Sequence, residues 1–125
     1  MKFHPILLLL PLPMTNCIYA LSYGLHIFYL TQLAIIITSI LYWTNPTNNK
    51  YRLLDIAVVN TGFFIHYTQC YYYGFINPAI TISFSVIPYI YSHIYDNTFY
   101  HAFTWIIGYS SNYYLIGLIA EKYYS

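Results

Sequence analysis

The chain has 125 residues, of which 59% are hydrophobic and 6% charged, with a formal net charge of +1. A soluble domain carries about 25% charged residues, so too few charges are present here to coat a water-facing surface. The small net charge, with no basic run, excludes electrostatic capture of nucleic acid, and no nucleic-acid partner is expected. A bilayer demands this shortage of charge, because an ionised side chain at its centre costs about 2.5–3.5 kcal/mol. The expected class is therefore all-α, a polytopic transmembrane helix bundle forming one membrane-embedded domain over residues 1–125.

Residues 5–43 are almost continuously apolar. As one helix they would be about 58 Å long, against a hydrocarbon core of about 30 Å. Two spans, 5–22 and 24–43, resolve the excess, with a turn at Ser22-Tyr23-Gly24. Pro11 and Pro13 bend the first span without forbidding it. A second reading stays open: Lys2, the apolar run Ile6–Leu10 and the small Ala20 also fit a cleaved signal peptide, which would leave four spans.

Residues 44–51 form the one clearly polar loop, and a third span follows over 52–73. Gly74 is placed to end it in the left-handed conformation. Asn77 as a cap and Pro78 at the first helical position open the fourth span, 78–95, with a kink expected at Pro88. Asp96-Asn97-Thr98 offers cap chemistry for the fifth span, 98–120. In this threading Lys2, Lys50 and Arg52 share one side. The positive-inside rule then sets the N-terminus and the 44–51 loop in the cytosol and the C-terminus outside. Tyr71-Tyr72-Tyr73 and Tyr123-Tyr124 supply an outer aromatic belt, and Tyr42, Trp43, Tyr51 and Tyr100 an inner one. Cys17 and Cys70 lie in apolar segments without a Cys-x-x-Cys spacing and read as packed thiols.

Polar residues within a span are costly, so their spacing marks the faces a bundle buries. Gln32, Ser39 and Trp43 share a face of the second span, and Asp55, Gly62, His66 and Gln69 a face of the third. Thr81, Ser85 and Ser92 follow on the fourth, and His101, Trp105, Gly108 and Asn112 on the fifth. Small and polar stripes of this kind join helices in lipid. Ser39, Asp55, His93 and His101 fall at one membrane depth in the threading above. They form the candidate catalytic set: Asp55 as acid/base or partner of His101, with Ser39 beside it and His93 and His101 as the only candidate metal ligands. An ion pair of Asp55 with Arg52, three residues earlier, is the competing role for the carboxylate. His66 lies deeper and reads as a satisfied interior histidine, and His4 and His26 as interfacial.

Three of these positions resemble motifs of the membrane superfamily called CREST, which holds the alkaline ceramidases and the progestin-and-adipoQ receptors. Ser39-Ile40-Leu41-Tyr42-Trp43 resembles its Ser-x-x-x-His at the end of the second span. Leu54-Asp55 resembles its Asp early in the third, and His101-Ala102-Phe103-Thr104-Trp105 its His-x-x-x-His in the last. The resemblance implies a helical bundle, a zinc ion on three histidines and hydrolysis of lipid amides. Trp43 and Trp105 stand where two of those histidines belong, and an indole has no lone pair for a metal. The family also has seven spans, against about five here. The expected protein is thus a non-catalytic multi-pass membrane protein without cofactor: a membrane subunit, a viral membrane protein or an assembly partner. Its partners would be the lipid bilayer, other membrane helices or a second copy of itself. The alternative is a reduced CREST-like lipid-amide hydrolase, the only reading that calls for zinc. A channel or transporter is a third reading, in which the stripes line a path through an oligomer.

Overall fold

A computed structural model describes residues 4–95 and 97–124, with the side chain of Tyr124 left out. Among the described residues there are five α-helices and no strand: α1 Pro11–Ser22, α2 His26–Thr44, α3 Asn49–Tyr73, α4 Ile76–Tyr95 and α5 Thr98–Tyr124. A 3-10 turn over Pro5–Leu9 precedes α1. The segments Pro5–Ser22 and His26–Thr44 are long and apolar enough to cross a membrane. Helices α3 to α5 have the length, but their tyrosines and polar side chains keep them below the same hydropathy.

The helices begin where side chains satisfy free N–H groups. His4 caps the 3-10 turn, its Nδ1 accepting from the Ile6 N–H at 3.2 Å. Pro11 and Pro13 then fall in the first turn of α1, where the 3-10 turn gives way to the α-helix inside the apolar segment Pro5–Ser22. Asn48 Oδ1 accepts from the N–H groups of Lys50 at 3.0 Å and Tyr51 at 3.3 Å, which starts α3 three residues before the expected Arg52. Asn97 Oδ1 accepts from the Phe99 N–H at 2.8 Å and opens α5; Asp96 and Lys2 lie outside the described residues.

Gly24 (φ +67°) and Gly74 (φ +77°) end α1 and α3 in the left-handed region. The Leu25 N–H reaches the Ala20 carbonyl at 2.9 Å and the Phe75 N–H reaches the Cys70 carbonyl at 2.9 Å. These are the wrapped bonds of a Schellman ending. Because that ending is so short, α4 restarts at Ile76, and Pro78 occupies its third position instead of its first. The missing N–H is still harmless there, since the first four have no helical partner. Helix α4 then runs without interruption through Pro88. Helix α5 continues past the expected residue 120 to Tyr124, with Lys122 in its last turn, where a cation suits the helix dipole.

The chain divides into two compact units, one up to Ile65 and one from His66. In the first, α2 folds back against α1 through a three-residue turn. Helix α3 approaches α2 closely at Gly62, where an added Cβ would stand 3.2 Å from Ile35 Cδ1. In the second, α4 packs along α5, with Gly108 facing Ser85.

Candidate functional site

Each unit buries polar side chains and turns large apolar ones outward. In the first unit Asn16, Gln32, Thr38 and Ser39 are buried, while Ile18, Leu30 and Leu53 are exposed. In the second His66, Ser85, Ser92, His101, Thr104 and Ser111 are buried, while Phe84, Ile94 and Phe99 are exposed. The stripes expected from helical spacing are these inner faces. Of the polar stripe members and candidate residues Gln32, Ser39, Asp55, His66, Gln69, Thr81, Ser85, Ser92, His93, His101 and Asn112, none is exposed.

The first unit joins Ser39 to Asp55. Ser39 Oγ donates to Asp55 Oδ1 at 3.3 Å, and Thr38 lies at the same carboxyl. The two side chains come from the C-terminal part of α2 and the N-terminal part of α3, which a short loop brings side by side. Asp55 forms no ion pair with Arg52 among the described residues; the Arg52 side chain is exposed. The carboxylate thus takes the hydroxyl of a neighbouring helix over the guanidinium of its own. Trp43 is buried and packs on His4, with ring centroids 4.4 Å apart, and on Tyr42 at 4.6 Å. His4 thus both caps a helix turn and covers this indole.

In the second unit His93 and His101 meet edge to face, with centroids 5.9 Å apart and planes at 88°. Tyr89 stands 4.6 Å from the His93 ring. Trp105 is buried against Tyr109. The candidate residues therefore fall into two pairs in two units, Ser39 with Asp55 and His93 with His101. Among the described residues no group of three His, Cys, Asp or Glu side chains stands ready to hold a metal ion. With buried indoles at positions 43 and 105, the residues present do not fit a three-histidine zinc site.

A denser polar junction lies around His66, also in the second unit. Its ring is 1% exposed. Nδ1 is 2.8 Å from Asn112 Oδ1, and Nε2 is 3.0 Å from the Pro78 carbonyl. Ser111 Oγ donates to the same carbonyl at 2.9 Å, Thr81 Oγ1 reaches it at 3.0 Å, and the two hydroxyls are 2.6 Å apart. Asn112 Nδ2 donates to the Gly108 carbonyl at 3.2 Å, which sets the direction of its amide. Three helices meet at this point. Reading the sequence finds His66, Thr81 and Asn112 by their faces but misses Ser111 and the Pro78 carbonyl. A serine carries no marker that separates it from its neighbour Ser110, and a main-chain acceptor leaves no trace in a residue pattern.

The free thiols behave as packed side chains: Cys70 is buried, and Cys17 Sγ donates to the Tyr29 carbonyl at 3.6 Å. No protein family, characterised protein or solved structure matches this chain.

Proposed function

We infer that the chain is a small multi-pass integral membrane protein of about five spans, that it is non-catalytic, and that its polar interior joins helices to one another. One observation carries this reading. Ile18 is 66% exposed and Phe84 60%, while Ser39 and His66 are each 1% exposed. A surface of large apolar side chains over an interior that mixes apolar side chains with buried polar ones is costly in water and favourable in lipid. The internal hydrogen bonds then act as contacts between helices, each worth about 0.6 kcal/mol in a membrane. Partners on this reading are lipid, other membrane helices or a second copy of the chain.

Lys50 and Arg52 flank the polar loop, and with Lys2 they favour a cytosolic N-terminus and an outside C-terminus. A compartment-sensitive reporter fused after Ser125 is expected to signal from outside the cytosol. A cytosolic signal from an inserted fusion overturns five spans.

The Ser39–Asp55 bond favours a second reading, in which the chain is a relative of the CREST superfamily that lacks its metal. A serine ending the second helix and an aspartate early in the third are the pair that superfamily uses. Elemental analysis of detergent-purified protein after dialysis is expected to find no stoichiometric zinc. One equivalent per chain overturns the non-catalytic reading and favours a hydrolase.

A further inference from the structure

A groove of about 440 Å³ opens in the second unit at the junction of α3 and α4, walled by Tyr67, Cys70, Tyr71, Phe75, Ile76 and Ala79. Its volume lies in the range of small-molecule sites, about 300–1,000 Å³. The walls are carbon apart from the Cys70 thiol and the tyrosine hydroxyls, and the Tyr67 hydroxyl is already engaged with Ser83 at 2.7 Å. With so little polar lining, the groove suits a flexible hydrocarbon chain.

A cation stands at one wall. Lys122 Nζ lies 5.3 Å from the centroid of the Phe75 ring and 5.4 Å from that of Tyr123. Tyr73 meets Tyr123 at 5.2 Å and stacks with Phe75 at 6.4 Å. The same phenylalanine therefore lines the groove with its body and carries an ammonium on its face. Tyrosines and a lysine gathered around an apolar slot match the chemistry of a membrane interface, with headgroups at one level and acyl chains below. Glu121 precedes Lys122, but it leaves α5 about 100° further round the helix.

We propose that this groove holds one acyl chain of an anionic phospholipid whose headgroup is bound by Lys122. The proposal rests on the reading of the chain as an integral membrane protein and adds to it a defined lipid site. Lysine contributes charge, and the apolar walls contribute fit. The two contributions separate in experiment.

The test uses the full chain, delipidated in detergent and titrated with dioleoyl phosphatidylglycerol or dioleoyl phosphatidylcholine, with bound lipid counted by native mass spectrometry. Wild type is expected to bind the anionic lipid about five-fold more tightly, the effect of one basic residue at a membrane surface. Lys122→Gln should abolish that preference, lowering phosphatidylglycerol binding more than phosphatidylcholine binding. Ala79→Phe, which fills the groove, should weaken both lipids several-fold. Helix content by circular dichroism shows whether it has folded, and Lys122→Gln, an exposed change, keeps the test valid if it has not. Equal binding of the two lipids by wild type, or a preference that survives Lys122→Gln, overturns the proposal. A separate control extracts membranes with alkaline carbonate. Release of the chain into the soluble fraction overturns the membrane reading itself, whereas retention with no lipid preference overturns the lipid site alone.

Discussion

Asp55 is the residue whose role changes most between sequence and structure. Its spacing to Arg52 offers an ion pair on one helix, yet the carboxylate bonds Ser39 from the helix before. A hydrogen bond between helices within lipid is worth about 0.6 kcal/mol and at most about 1.7 kcal/mol. Ser39→Ala and Asp55→Asn are therefore expected to be non-additive in a double-mutant cycle, with a coupling of that size read from denaturant unfolding in micelles. Adding Arg52→Gln to either should give independent effects, because the guanidinium does not share the bond. Strict additivity of Ser39→Ala with Asp55→Asn would remove the pair. That Ser39 and Asp55 share a depth was legible in the sequence, because the loop between them is short. Which partner the carboxylate chooses was not, since i,i+3 spacing and a facing helix offer equally good geometry on paper.

At the scale of the helix, the punctuation carries most of the information. Gly74 reads from the sequence as a left-handed ending and has φ +77°, and Gly24 in the expected first turn has φ +67°. A side chain in this region costs about 1–2 kcal/mol. Gly24→Ala and Gly74→Ala should each lower stability by about 1 kcal/mol, seen as a reduced midpoint in thermal unfolding followed by circular dichroism. An unchanged midpoint would mean that these turns relax without loss. The space around both glycines is open, so the cost isolates backbone conformation from packing. Helix starts were less legible. Asn48 begins α3 and Asn97 begins α5, but Asn45, Asn49 and Asn77 are equally good caps by composition. The choice depends on where the chain reverses, and single residues do not encode that. Pro78 illustrates the same point: it suits the first or the third position of a helix, and the tight ending at Gly74 decides for the third.

At the largest scale, the many exposed large apolar side chains set the strongest expectation. Phe84 projects outward from α4 while the adjacent Ser85 is fully buried. On a soluble protein Phe84→Lys would be neutral or helpful. On a lipid-facing surface it should hinder insertion by about 2.5–3.5 kcal/mol if central in the span. The measurement is the fraction of chain that inserts in a microsomal translation assay, with Phe84→Leu as the control. Normal insertion of Phe84→Lys would count against a lipid-facing α4. The periodic stripes indicated which faces turn inward, and composition pointed to the two helical segments that are long and apolar enough to cross a membrane.

The junction at His66 has a further consequence. The Pro78 carbonyl oxygen has two lone pairs, and the hydroxyls of Thr81 and Ser111 stand 3.0 and 2.9 Å from it. With Asn112 Oδ1 taking the Nδ1–H of His66, the neutral ring presents a lone pair at Nε2, and Ser111 Oγ stands 3.4 Å from that nitrogen as well. Since Thr81 and Ser111 also touch at 2.6 Å, a hydroxyl turned away from the carbonyl finds its neighbour in place. The hydrogens can thus be arranged in more than one way over a single set of heavy atoms, like the proton disorder of ice. Such degeneracy keeps some entropy that a single frozen arrangement would surrender. It also lets the meeting point of three helices absorb small sliding motions by rotating a hydroxyl, with no bond to the interior lost.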